Sequence, residues 1–376
     1  MRIVHINSAK NWAGGEVHTH LVCKELVARG YDVTLACRQG SAISEVFEKD
    51  GLTTVVLPLR NAIDVLSAYR LAKYCRENRI SILHAHLGRD YWLAAWTKFF
   101  YPEVYVVFTR HVLIPLKNSL IHRWVFAQAS TIIAVSHAVE QMVTKSGLVA
   151  DDKIVTIHNG IDIDKFSQAS PGNVRCELHT PAETKLIGII GHVSEHKGQD
   201  VLIKSMPSII EKDPSVRCVI VGGDFKDGVY VQELKALAKS LGVDEKVHFL
   251  GQRSDIPHLM KDLDVFVLAS QEEPFGLVLV EAMAAGVPVI ATNRGGPGEI
   301  IEEEISGLLV PYGDIDQHSR MILKILSNQA LADRLIKQAH QRARSFFSVD
   351  IMMERLIRVY ESLMDHIGPE ETSDGQ

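Results

Sequence analysis

Apolar residues in this chain fall into two recurring patterns, short runs of strand length and longer stretches at helical spacing. Residues 2–6 open the series, followed by YDVTLAC, TTVVLPL, ISILHAH, VYVVFTR, TIIAVS and KIVTIH, with helical spacing between most of them. NWAGG is expected to form a turn, followed by a helix from about Glu16 to Arg29 that Gly30 caps. Strand and helix in alternation predict a doubly wound parallel sheet. Residues 167–184 lose the periodicity and carry both Pro and Gly, so they read as a linker. A second alternation then runs through KLIGIIG, VRCVIVGG, KVHFLG, DVFVLAS and VPVIAT. From about Ile315 the pattern is helical, ending in an apolar helical stretch over 345–364. The expected organisation is two Rossmann-like α/β domains, 1–166 and 185–347, with an acidic, disordered tail over 367–376.

Composition narrows the partners. A chain of 376 residues accommodates two ordinary domains. Its net charge of −6 offers no global basic field for nucleic acid. Five scattered cysteines without a CxxC pair read as reduced thiols, neither a disulfide frame nor a zinc site. MRIVHINSA begins directly with a strand and has no signal-peptide core, and no run approaches the ~20 apolar residues of a membrane span. A cytoplasmic protein is expected, with any membrane contact peripheral. Two aromatic and basic stretches, 91–105 and 113–126, either pack on the sheet or lie against lipid headgroups.

The candidate chemistry centres on QEEPFGLVLVEAMAAG, residues 271–286. Pro274 is placed in a first helical turn and Gly286 at the C-terminal cap. Glu273 then precedes the helix, and Glu281 lies about two turns inside it. At ~1.5 Å per residue an all-helical segment separates them by roughly 12 Å. That is too far to share a proton, but it suits holding two ends of one extended ligand. Between them, the N–H groups near Phe275, Gly276 and Leu277 favour an anion such as a diphosphate. A buried helix with one capping and one surface Glu is the plainer alternative.

Other candidates sit where strands end, the ligand side of such sheets. Lys197, in GHVSEHKGQD, offers an ammonium at a helix start, which suits a diphosphate unless it is a simple surface lysine. Gly14 and Gly15 either let backbone N–H groups approach a phosphate or form an ordinary turn. His18 and His20 read as structural. His84 and His86 share one strand face and so suggest a metal pair, yet no third ligand stands at a recognisable spacing. His86 is read as a wall residue of the ligand cleft. His111 ends VVFTRH and is either functional or a satisfied structural histidine.

Glu273 and Glu281 within EPFGLVLVE, the PFG between them and the EAMAAGVPVIAT continuation resemble the donor-site motif of retaining GT-B glycosyltransferases of the family-four, group 1 type. The resemblance extends from the GG loop through HNGID and NRGGPGE to GLLVPYGD. It implies two Rossmann-like domains facing a cleft that closes over the substrates, the first for acceptor and the second for a nucleotide diphosphate sugar. It also implies that the helix at about 348–366 returns to the first domain, and that no metal or further cofactor is needed. By resemblance, Glu273 orients the sugar, Glu281 grips the ribose, Lys197 meets the diphosphate and Gly251 borders the base. His111 lies near the reacting sugar, Gly15 faces the donor phosphates, and Gly14 and His86 belong to the acceptor side. His192 stands where the family usually has an arginine, which shifts phosphate neutralisation towards Lys197. The implied activity is transfer to a glycan or lipid-linked acceptor in cell-envelope polysaccharide or lipopolysaccharide synthesis, at the inner membrane face. An epimerase or hydrolase of the same architecture, or a silent nucleotide-sugar binder, is the alternative.

Overall fold

The computed structural model describes residues 1–60, 64–224 and 228–365. Its strands form two parallel sheets. The first contains β1 (Arg2–Ile6), β2 (Asp32–Cys37), β3 (Thr53–Val56), β4 (Ile82–Ala85), β5 (Tyr105–Arg110), β6 (Thr131–Ala134) and β7 (Ile154–Thr156), in the order β3-β2-β1-β4-β5-β6-β7. The second contains β8 (Leu186–Ile190), β9 (Arg217–Val221), β10 (Val247–Gly251), β11 (Val265–Leu268), β12 (Val289–Thr292) and β13 (Leu308–Val310), in the order β10-β9-β8-β11-β12-β13. As in a sheet covered on both faces, the central strands are buried: every residue of β4, β8 and β11 is buried, His84 of β4 included. Strand order reverses beside β1 in one sheet and beside β8 in the other. At such a switch point the flanking loops part and leave room for a ligand.

The chain divides into two compact units, Met1–Asn159 with the described part of Met352–Gln376, and Gly160–Ile351. The expected linker 167–184 is instead part of the second unit. Val174 N–H donates to Asp262 Oδ2 (3.0 Å), and Arg175 donates to the Asp262 carbonyl (2.8 Å) and Asp264 (2.6 Å). Its lost periodicity reflects short irregular packing, with a single turn of helix at Val174–Glu177. The helical region from Ile315 is three helices, Ile315–Leu326, Gln329–Phe346 and Val349–Asp365, the last two parted where Ile161 bonds the backbone of Phe347 and Val349. In the first unit, Tyr360 of the last helix is fully buried and bonds His84 of β4. The tail expected to be disordered, 367–376, lies outside the described residues.

The first helix spans Gly14–Ala28, so Gly14 and Gly15 are its opening turn and not a loop before it. Glu16 makes this possible. Its Oε2 accepts the Ala13 N–H (3.0 Å) and its Oε1 accepts from Asn7 (3.3 Å), holding the entry from β1.

Candidate functional site

In the second unit the carboxyl ends of β8 to β11 converge. Gly222, just past β9, runs so close to the end of β8 that an added Cβ would stand 1.8 Å from the Gly191 carbonyl oxygen. Lys197 and Gly198 press on the end of β11. Gly198 has φ +74°, and a Cβ there would lie 2.0 Å from the Ala269 oxygen. Only glycine fits, and its neighbour Lys197 is thereby fixed beside Glu273. The Lys197 ammonium donates to Glu273 Oε2 at 2.7 Å, and Ser270 Oγ donates to the same oxygen at 3.2 Å.

Glu273 is held from behind. The Gly296 N–H donates to its carbonyl (2.8 Å), and a Cβ on Gly296 would stand 2.4 Å from Phe275 Cα. NRGGPGE therefore acts as a backing for the Glu273–Phe275 backbone. The helix begins only at Leu277, after Gly276 at φ +107°. Pro274 is thus outside the helix, contrary to expectation, and Glu281 lies one turn inside it instead of two. The all-helical separation of roughly 12 Å does not apply, because Glu273 to Gly276 are not helical. Phe275 is buried with its ring against Phe347 (5.8 Å), so only its backbone is available to a ligand. Leu277 opens the helix, where the first N–H groups lack intrahelical acceptors. Glu281 is half-buried and hydrogen-bonds no described side chain. Burial pushes its carboxyl up to about 7, with Lys165 pulling the other way.

His192 Nδ1 donates to the Gly223 carbonyl at 2.8 Å. An anion would be met by the Nε2 side of the ring, which donates only when it carries a proton. Gly251 ends β10 at φ +66°, with its carbonyl accepting from Gly222 (2.8 Å). Arg253, two residues on, is held by Glu177 (2.7 Å) and Asp255 (2.7 Å).

The first unit brings together histidines that are far apart in sequence. His5 (β1) and His84 (β4) are register partners on neighbouring strands. His5 Nδ1 lies 2.9 Å from His86 Nε2, and His86 Nδ1 lies 3.3 Å from His111 Nε2. His18, on the first helix, has its ring centre 4.9 Å from that of His111. Burial holds all five rings below the ordinary histidine value: His5 to about 3, His18 to about 4, the others well down. They are neutral. Sequence reasoning misses His5, because only the pairing of β1 with β4 brings it beside His84. His20, by contrast, pairs with Asp50 (2.8 Å).

Gly14 and Gly15 have ordinary φ, and an added Cβ at either meets no atom within 4 Å. The chain's own packing therefore does not demand glycine there. Beyond β2 and β3, Lys10, Arg38 and Arg70 line a cavity of about 670 Å³ with no acid among its described walls, although Asp64 and Asp90 are near enough to act on Arg38. Of the aromatic stretches, Trp96 packs on Trp124 (4.7 Å), while Phe99, Ile114, Leu120 and Ile121 are exposed. No described helix is long and apolar enough to cross a membrane.

Comparison with known proteins accounts for both units. Residues 174–342 match the family of glycosyl transferases group 1, and residues 12–165 match Glycosyltransferase Family 4. Spore coat protein SA of Bacillus subtilis is 33% identical over 61% of this chain and 64% of its own length. The match thus spans just under two thirds of that relative. A D-inositol 3-phosphate glycosyltransferase of Saccharomonospora viridis is 26% identical over 75% of this chain and 70% of its own. Among solved structures, Anabaena Alr3699/HepE in complex with UDP and glucose superposes with a TM-score of 0.86. It shares 24% identity over 96% of this chain and all of that one, a likeness of fold. With two Rossmann-like units, a family-four N-terminal domain and a group 1 C-terminal domain, the chain belongs to the GT-B glycosyltransferases.

Proposed function

We propose that this protein is a retaining glycosyltransferase that moves a sugar from a nucleoside diphosphate sugar to a glycan or lipid-linked acceptor. The observation that carries the donor half is the Lys197–Glu273 pair beside the Leu277–Ala285 helix start, on strand-end loops that only glycine permits. A diphosphate brings more negative charge than one carboxylate, so it draws Lys197 away from Glu273. The released Glu273 oxygen then accepts from a sugar hydroxyl. Lys197 and the helix N–H groups stabilise charge growing on the leaving diphosphate, a task met here by fixed donors and not by a metal. Leu277 and Gly276 bring the backbone close to the phosphates, Glu281 holds the ribose, and the Gly251 loop borders the base. His192 contributes to the phosphates when protonated.

The first unit is assigned the acceptor. His111, half-buried and with its protonated form disfavoured by burial, hydrogen-bonds a sugar hydroxyl, while His86 and Gly14 line the acceptor side and Gly15 the donor phosphates. The cavity of Lys10, Arg38 and Arg70 favours an acceptor that carries an anionic group. Exposed Ile114, Leu120 and Ile121 near Lys117 and Arg123 support a peripheral membrane contact, in keeping with a lipid-linked acceptor for envelope polysaccharide. Flotation with anionic vesicles tests that contact, and an unbound protein removes it. UDP is the first nucleotide to try, since the Anabaena relative in fold was solved with UDP-glucose. The reaction is tested by incubation with UDP-glucose and sugar acceptors, reading the anomeric proton of the product by NMR. Retained configuration supports the reading; inverted configuration, or nucleotide release without a glycoside, refutes it.

A further inference from the structure

We propose that His18, His86 and His111 form a binding site for one divalent transition-metal ion of the zinc, nickel or copper class, with its remaining position open to water or a small anion. The three rings come from three elements: the Gly14–Ala28 helix, the end of β4 and the end of β5. One ring nitrogen from each lies within 4.8 Å of the others. Two distances set the geometry. His86 Nδ1 and His111 Nε2 are 3.3 Å apart, long for an N–H···N bond. Two nitrogens bound to one tetrahedral ion at ~2.0–2.1 Å stand about 3.3 Å from each other. The rings are thus spaced as co-ligands as much as hydrogen-bond partners.

The polar accounting is divided: it favours an ion at His18, but it puts the His5 proton on Nε2, a buried atom without a partner among the described residues. His18 Nδ1 is buried and has no hydrogen-bond partner, a costly state for a ring nitrogen. An ion gives it one. With lone pairs of His86 Nδ1 and His111 Nε2 turned to the ion, His86 carries its proton on Nε2 and donates it to His5 Nδ1, 2.9 Å away. That is the outer hydrogen bond that usually orients a metal-bound histidine. The deeper trio of His5, His84 and His86 is also compact. It is the poorer site, because both nitrogens of His84 are taken by Tyr360 and Thr109. An all-imidazole set without carboxylate suits zinc, nickel or copper and not magnesium or calcium. The site stands on the first unit's geometry alone. If the transfer reading holds, the ion and a sugar hydroxyl compete for His111, and metal inhibits transfer.

The test uses chelator-treated full-length protein titrated with Co²⁺, then Zn²⁺. One equivalent of Co²⁺ should give the strong visible bands of tetrahedral coordination, and Zn²⁺ should abolish them. His5→Ala should weaken Zn²⁺ binding about 10–100-fold, and His18→Ala at least as much. His179→Ala, at an exposed histidine of the other unit, should leave it unchanged. Absence of the cobalt bands in the wild type overturns the proposal without reference to any variant. So does binding that His18→Ala, folded by circular dichroism, leaves intact. Loss of transfer with the cobalt bands intact would refute the transferase reading and not this one.

Discussion

Lys197 and Glu273, 76 residues apart in sequence, are joined by a hydrogen-bonded ion pair of 2.7 Å at the mouth of the donor loops. The pair is partly shielded, with the Lys197 side chain 32% and the Glu273 side chain 11% exposed. Each partner in the proposed reaction is therefore occupied by the other until a ligand separates them. This gives opposite expectations for the two substitutions. Lys197→Ala should weaken UDP binding by about 10-fold or more, since a charged hydrogen bond contributes roughly 1.5–3 kcal/mol. Glu273→Gln should leave UDP binding equal or tighter, because the competing carboxylate is gone, while the transfer rate collapses. Calorimetric titration with UDP and a rate assay separate the two. Equal loss of affinity in both variants would mean that the pair acts as one structural unit.

Gly15 gives a test in which stability and function should part. Its φ is ordinary and a methyl group would meet nothing. In a helical position Ala is favoured over Gly by up to about 1 kcal/mol. Gly15→Ala should therefore melt at the same or a higher temperature than the wild type, yet transfer more slowly if a phosphate approaches that backbone. Unchanged kinetics would assign the glycine no ligand.

The raised carboxyl of Glu281 fixes a pH dependence. Its folded value of about 7 lies above the ordinary glutamate range, so the native state holds the proton more tightly than the unfolded chain. The contribution is fully present at acid pH, declines once the unfolded carboxyl ionises above about 4.3, and is gone above 7. Glu281→Gln should match the wild type near pH 4.5 and exceed it by about 1–3 kcal/mol at pH 8, reduced by the partial exposure of the group. Denaturant midpoints at the two pH values measure this. A constant difference would show that burial does not perturb the group. The same variant should bind UDP more weakly at both.

A cationic cavity predicts acceptor charge preference. Arg38→Ala with Arg70→Ala should slow transfer to a phosphorylated acceptor more than to its neutral counterpart. Equal slowing would leave the cavity without a part in acceptor choice.

The sequence made most of the scaffold legible because a buried parallel strand is a run of apolar residues between turn signals. β13 escaped recognition. Leu308–Val310 is a three-residue edge strand, too short to display a period, and was read only as part of GLLVPYGD. The donor loops were legible as residue types but not as geometry. Pro274 reads as a helix start from propensity alone, whereas the close approach of Gly296 to the Phe275 backbone accompanies a bent, non-helical segment there. The same limit hid the Lys197–Glu273 pair. Its cause is the approach of Gly198 to Ala269, a contact between loops 71 positions apart. The histidine cluster was seen as two alternate residues on one strand. Its other members arrive from β1, the first helix and β5, and only the sheet order joins them. Residues 167–184 show the reverse case: their lack of period suggests a linker, whereas the segment packs locally on Asp262 and Asp264.

The most direct measurement is thermal unfolding of the wild type and Lys197→Ala with UDP, with GDP and ADP alongside. A ligand at ~100 times its dissociation constant stabilises by about 2.7 kcal/mol, a shift of several degrees. The account predicts that UDP raises the wild-type midpoint and that Lys197→Ala, folded and melting near the wild type without ligand, keeps no more than about half of that shift at the same UDP concentration, since tenfold weaker binding leaves about 1.4 kcal/mol. An undiminished UDP shift in Lys197→Ala, or no shift of the wild type with any of the three, would contradict the donor site described here.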